Sequence, residues 1–115
     1  MVQSNDEGRS VISIEDEGFK SEILTTHTDF SQGRKVLASI RPENIHIHTS
    51  KPDESVNMWA ARLERKNFLG GLFDMVVSIG DKELRCRTPF VFDAKSGSDV
   101  YIHIKPEDVL LIDMP

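Results

Sequence analysis

Ile40-Arg41-Pro42-Glu43-Asn44-Ile45 returns later in the chain as Ile104-Lys105-Pro106-Glu107-Asp108-Val109, at a constant offset of 64 residues and with no gap. The match extends on both sides, because Gly33, Val36 and Ile47 have Gly97, Val100 and Leu111 as their counterparts. Each copy reads as a turn glycine, a strand, a basic-Pro-Glu corner and a second short strand. Proline fixes its own φ, pushes the preceding residue into an extended conformation and donates no ladder hydrogen bond, so it turns a strand through a corner at little cost. Two copies are too few for a solenoid, whose units need several neighbours to bury a continuous core. A small barrel, which must bend its strands sharply to close, uses such corners directly.

The flanking sequence reads the same way. Short runs of alternating apolar and polar residues are separated by Gly, Asp and Pro, and no stretch sustains a helical period. Residues 10–14 and 19–24 predict a hairpin closed by Glu15-Asp16-Glu17-Gly18, with Gly18 supplying a positive φ. Residues 27–33 read as a loop, and 35–39 as a strand that leads into the first corner. Over 44–49 strict alternation places Ile45 and Ile47 on one face and His46 and His48 on the other. A long strand over 56–66 directs Trp59, Ala61 and Leu63 inward and Arg62, Glu64 and Lys66 outward. Phe68-Leu69-Gly70-Gly71 interrupts the pattern as a tight bend. The strand from Leu72 to Ile79 turns at Gly80-Asp81 and returns through Lys82 to Arg87. The expectation is a single all-β, OB-like barrel over residues 8–113, preceded by a flexible start over 1–7.

Composition narrows the function. Apolar residues at 38% and charged residues at 29% suit a folded domain, and 115 residues make one modest core. Fourteen Lys and Arg against nineteen Asp and Glu leave a net charge of −5, opposite in sign to a nucleic-acid binder that must neutralise phosphates. The aromatic residues Trp59, Phe68, Phe73, Phe90 and Phe92 would suit a base-stacking platform, but this charge argues against a nucleic-acid partner. Cys86 is the only cysteine, so no intramolecular disulfide can form, and a reducing, cytoplasmic setting is expected. No run of about 18 apolar residues is present.

Catalytic chemistry finds no foothold. There is no Gly-x-Ser-x-Gly elbow and no Gly-rich phosphate loop ending in Lys and Ser/Thr, so neither a nucleophile triad nor ATP hydrolysis is expected. His46, His48 and His103 are conceivable together as a metal-binding trio if their strands pair, although no fourth ligand is spaced for it; no metal or cofactor is expected. Cys86, between Arg85 and Arg87, reads as a small core residue rather than an activated thiol. Gly70, Gly71 or Gly97 can form an anion nest of backbone amides aided by Arg62 or Lys66, or can serve simply as turns.

Taken in order, Ile40-Arg41-Pro42-Glu43, Phe68-Leu69-Gly70 and Ile104-Lys105-Pro106-Glu107-Asp108 make the chain resemble the C-terminal TOBE region of ATP-binding-cassette ATPases, from about Gly8 to Ile112. The resemblance points to the ATPases of polyamine, ferric-iron and sugar importers. It implies an OB-like barrel that serves as a regulatory and contact module beyond a nucleotide-binding domain. Its implied partners are that ATPase domain and the transporter membrane subunits, in a homodimeric assembly at the inner face of the membrane. Relatives of this barrel in molybdate systems bind oxyanions at subunit interfaces, which leaves a stand-alone binder of molybdate, tungstate, sulfate or another small anion as the alternative. The chain is then either part of an ATPase subunit or a stand-alone relative. Arg41, Glu43, Lys105 and Glu107 at the corners, with Phe68, Gly70 and Gly71 at the bend, are the expected contact residues, since loops on a rigid scaffold are where partners engage.

Overall fold

The structure, a computed structural model, describes residues 2–6, 8–16, 19–53, 56–88 and 94–113. The regular elements are β1 (Val2–Asp6), β2 (Arg9–Asp16), β3 (Phe19–Thr25), β4 (Val36–Ser39), β5 (Ile45–His48), β6 (Met58–Phe68), β7 (Phe73–Ile79), β8 (Lys82–Thr88), β9 (Asp99–Ile104) and β10 (Leu110–Asp113). Two single-turn 3-10 corners, Pro42–Asn44 and Pro106–Asp108, join β4 to β5 and β9 to β10. The described architecture is all-β and OB-like.

Three sheets carry it: an antiparallel meander β1-β2-β3, a ribbon β4-β10 and a five-stranded sheet in the order β5-β9-β6-β7-β8. The five-stranded sheet curls until its edge strands β5 and β8 approach each other, and the first corner packs against β8. Alternation fills the interior. Leu63, Met75, Val77, Cys86, Val100 and Ile102 are fully buried, with Ile45, Ile104, Val109 and Leu111 beside them. Ile12 and Ile23 of the meander join the same core.

The sequence repeat is a structural repeat. Gly33 and Gly97 have φ of 87° and 91°. Arg41 and Lys105 have φ, ψ of −74°, 141° and −67°, 137°, both extended as a residue before proline must be. The two copies exchange strands, because β4 of the first pairs with β10 of the second while β5 pairs with β9. Ala38 opposes Leu111, and Ile47 opposes Ile102. The 64-residue offset that carries Ala38 to Ile102 also carries Ile47 to Leu111, so the two ladders are one pairing repeated about a pseudo-two-fold relation.

Three sequence expectations change. Residues 2–6, expected to be flexible, form β1: Val2 is buried, donates its N–H to the Arg34 carbonyl at 3.0 Å and accepts from Gly33 N–H at 2.8 Å. The strand over 56–66 runs from Met58 to Phe68 and carries a β-bulge, since Leu63 opposes Val77 while Arg65, not Glu64, opposes Val76. A bulge inserts one residue and reverses the alternation beyond it. Lys66, expected outside, is therefore drawn to the Met75 side, where its ammonium donates to the Ala94 carbonyl at 3.0 Å and lies 5.4 Å from the Phe73 ring. The hairpin turn expected at Gly18 lies outside the described residues, as do Phe90 and Phe92.

Candidate functional site

The Pro corners are first of all joints. At the second, the Thr25 hydroxyl donates to the Val109 carbonyl at 2.6 Å and accepts from the His27 N–H at 3.1 Å, while Thr26 N–H reaches the Pro106 carbonyl at 3.2 Å. His27 Nδ1 accepts from Leu111 N–H at 3.0 Å, which fixes the ring, and its Nε2 meets Asp29 at 3.0 Å. The backbone of the corner is thus spent on β3 and the loop after it. Arg41, Glu43, Lys105 and Glu107 are exposed, but one pair sits by β8 and the other by β3, so the structure does not gather the four into one site.

The bend is a different surface. Leu69 N–H donates to the Leu72 carbonyl at 2.8 Å, and Gly70 and Gly71 take φ of 62° and 148°, conformations that side chains disfavour. Phe68 and Leu69 project from this tip, 65% and 53% exposed, with Phe68 lying 5.3 Å from Phe73. A second apolar surface, unanticipated from the sequence, is the outer face of the ribbon: Leu37 directly opposes Ile112, Leu110 lies two residues along, and all three are half exposed.

An anion nest does not form at Gly97. Its N–H donates to the Leu63 carbonyl at 2.6 Å, Ser98 N–H donates to Lys95, and Leu63 N–H returns to Ser98. Those groups close the loop onto the bulge. Arg62 Nε stands 3.8 Å from Glu64, and Lys66 is engaged by Ala94. The turn reading is the correct one there.

Asn57 is the residue that sequence reading missed. It is buried, holds φ at 51°, accepts from Leu24 N–H through Oδ1 and donates to the Leu24 carbonyl through Nδ2, both at 2.7 Å. Its own carbonyl accepts from Ile104 N–H at 3.0 Å. One side chain therefore supplies β3 with the hydrogen bonds a further strand would supply, and ties the meander to the barrel. Trp59 Nε1 donates to the Ser21 hydroxyl at 2.9 Å across the same seam. Asparagine at a left-handed position is the local signal that such a clamp leaves in a sequence.

Beside that seam runs a cleft of about 960 Å³, walled by Ile14, Ile40, Trp59 and Leu84 and edged by Lys35, Lys82 and Arg85 together with Glu15 and Glu83. Its volume is that of a small-molecule site. On the outer face of the five-stranded sheet, β5 and β9 do pair, and His46 stands directly opposite His103. Among the described residues no three His, Cys, Asp or Glu side chains are arranged to hold a metal ion. Cys86 is fully buried, and burial first, then the Asp74 charge, pushes its thiol up to about 12. Arg85 and Arg87 face away from it, each reaching Asp74, at 3.5 and 3.3 Å.

The class that this geometry defines is a two-copy, corner-built β-barrel. A family model of the TOBE domain matches residues 38–112, and the chain belongs to that family. A solved structure of the cytoplasmic molybdate-binding protein ModG, with molybdate bound, shares the fold at a TM-score of 0.69 and 12% identity, covering 98% of this chain and 89% of that one. No curated protein matches this sequence.

Proposed function

We propose that the chain is a non-catalytic binding module for a small oxyanion of the molybdate, tungstate or sulfate class. The observation that carries this reading is the extent of the fold likeness: it spans nearly all of both chains, so the whole two-copy barrel, and not a local motif, is what this chain has in common with a protein solved with molybdate bound. Family membership supports it as well. With a net charge of −5 the chain as a whole repels anions, so binding must come from a local constellation rather than from the overall field. The test is thermal unfolding in molybdate, tungstate or sulfate against chloride at matched ionic strength. A ligand of the native state raises Tm by mass action, by about 2.7 kcal/mol of stability at a hundredfold excess over Kd. Equal Tm in all four salts would refute it.

A second reading is favoured by the two exposed apolar surfaces, Leu37 with Leu110 and Ile112, and Phe68 with Leu69. Contiguous apolar groups at a strand ribbon and a hairpin tip suit burial against a partner. On this reading the chain is the accessory domain of an importer ATPase, in contact with the nucleotide-binding domain, a second copy and the membrane subunits at the cytoplasmic face. Co-purification of a tagged chain with such an ATPase, lost in Leu110→Lys and Phe68→Lys, would support it. Unchanged co-purification in both variants would remove these surfaces.

A further inference from the structure

We propose that the cleft between the meander and the barrel binds an amphipathic monocarboxylate, with the hydrocarbon body against its walls and the carboxylate at its rim. The proposal goes beyond the oxyanion reading and does not rest on it. Well-packed interiors leave few voids larger than a water molecule, so a cleft of about 960 Å³ is not a packing gap. Ile14 of β2, Ile40 ahead of the first corner, Trp59 of β6, Ile79 of β7 and Leu84 of β8 all line it. Each packs on the core yet is only partly buried. Separate segments thus bring uncovered apolar surface to one volume, while Leu63, Met75 and Ile102 of the neighbouring core are fully buried.

The walls are held in place. Asn57 bonds both backbone groups of Leu24 at 2.7 Å, and Trp59 Nε1 donates to the Ser21 hydroxyl at 2.9 Å, which fixes the meander against the barrel. The bond to Ser21 also occupies the one polar atom of the Trp59 ring, so what the ring offers a ligand is hydrocarbon and π surface. Water finds few partners on such walls, and an apolar body that displaces it is favoured. The rim carries the polar recognition. Glu15 is engaged by Lys20 at 3.7 Å and Arg85 by Asp74 at 3.5 Å. The other rim charges are Lys35, Lys82 and Glu83, two positive and one negative, on a chain whose net charge is −5. Lys35 is exposed immediately before β4 and is the group assigned to the carboxylate. An excess of one positive charge suits a monoanion, and the walls call for an apolar body that molybdate and sulfate lack.

The experiment is titration of octanoate and decanoate, below their micelle concentrations, into the intact chain, followed by the fluorescence of Trp59, its single tryptophan and part of the cleft wall. The proposal expects a saturable change with both acids and affinity at least about tenfold tighter for decanoate, since each buried methylene is worth about fourfold. Leu84→Glu, which puts a charge in the wall, should weaken decanoate by about tenfold or more. Lys35→Glu lies at an exposed position where folding is not at stake. It should weaken decanoate by about two- to fivefold, the span of an exposed ion pair, while leaving uncharged decanol unchanged. No saturable change with decanoate would overturn the proposal, and so would equal affinities for the two acids, which would leave the chain in water. Decanoate that binds equally well to the parent and to both variants would place it on another surface, such as that of Leu37 and Ile112, and overturn the cleft assignment. Molybdate binding with no response to decanoate would overturn this site and spare the oxyanion reading.

Discussion

Replacing Asn57 with alanine removes two 2.7 Å hydrogen bonds to the backbone of Leu24 and leaves that N–H and carbonyl facing a methyl group. Each lost bond costs about 1 kcal/mol net, and more where water cannot reach the orphaned group. The positive φ of 51° adds about 1 kcal/mol, because alanine tolerates the left-handed region less well than asparagine. Asn57→Ala should therefore lower the unfolding free energy by about 2–4 kcal/mol, and Asn57→Gly by about 1 kcal/mol less, since glycine restores the backbone freedom and not the clamp. Urea titration followed by the single tryptophan measures both, and Trp59 reports the relevant seam because it bonds Ser21 there. If both variants fall within about 0.5 kcal/mol of the parent, the usual scatter of surface substitutions, the meander is held by packing alone and the clamp argument fails.

Thr25→Val should cost about 1–3 kcal/mol, because it strips the buried hydroxyl that links Val109 to His27; denaturant midpoints check this. Leu63→Ala, at a fully buried position of β6, should cost about 2–5 kcal/mol by leaving a cavity, read by Tm. Cys86 should resist iodoacetamide in the native state at about pH 8 and react on unfolding, since the thiolate is the nucleophile. The same thiol predicts a pH dependence. Its folded value, about 12, lies above its ordinary 9.0, so the stability it contributes is fully present below about pH 9 and falls as pH rises towards 12. Comparing the alkaline slopes of Cys86 and Cys86→Ala protein isolates that contribution.

Much of the fold was legible because the information was local. The hairpin at Gly80-Asp81, the alternation of Ile45 and Ile47 and the 64-residue repeat are patterns of neighbouring residues, and strands with one buried face cannot slip register without exposing that face. The strand exchange between the two copies was not legible, because which ladder each strand joins depends on closure of the whole barrel. The bulge at Glu64 leaves no compositional mark, and Lys66 was misplaced for that reason alone. β1 was missed because Val2 is its sole apolar residue. The histidines were visible as a metal-binding trio contingent on strand pairing; β5 and β9 do pair, yet among the described residues no three such side chains are arranged to hold a metal ion. The nest at Gly97 failed because backbone amides choose partners in space. The corners and the bend, named as contacts, are exposed as expected, yet they are separate surfaces.

The account's central claim, oxyanion binding by this barrel, is tested most directly by equilibrium dialysis of the chain against molybdate at neutral pH. The account predicts saturable retention of molybdenum by the protein compartment, displaced by excess tungstate or sulfate. Retention no greater than that of an unrelated acidic protein would contradict it.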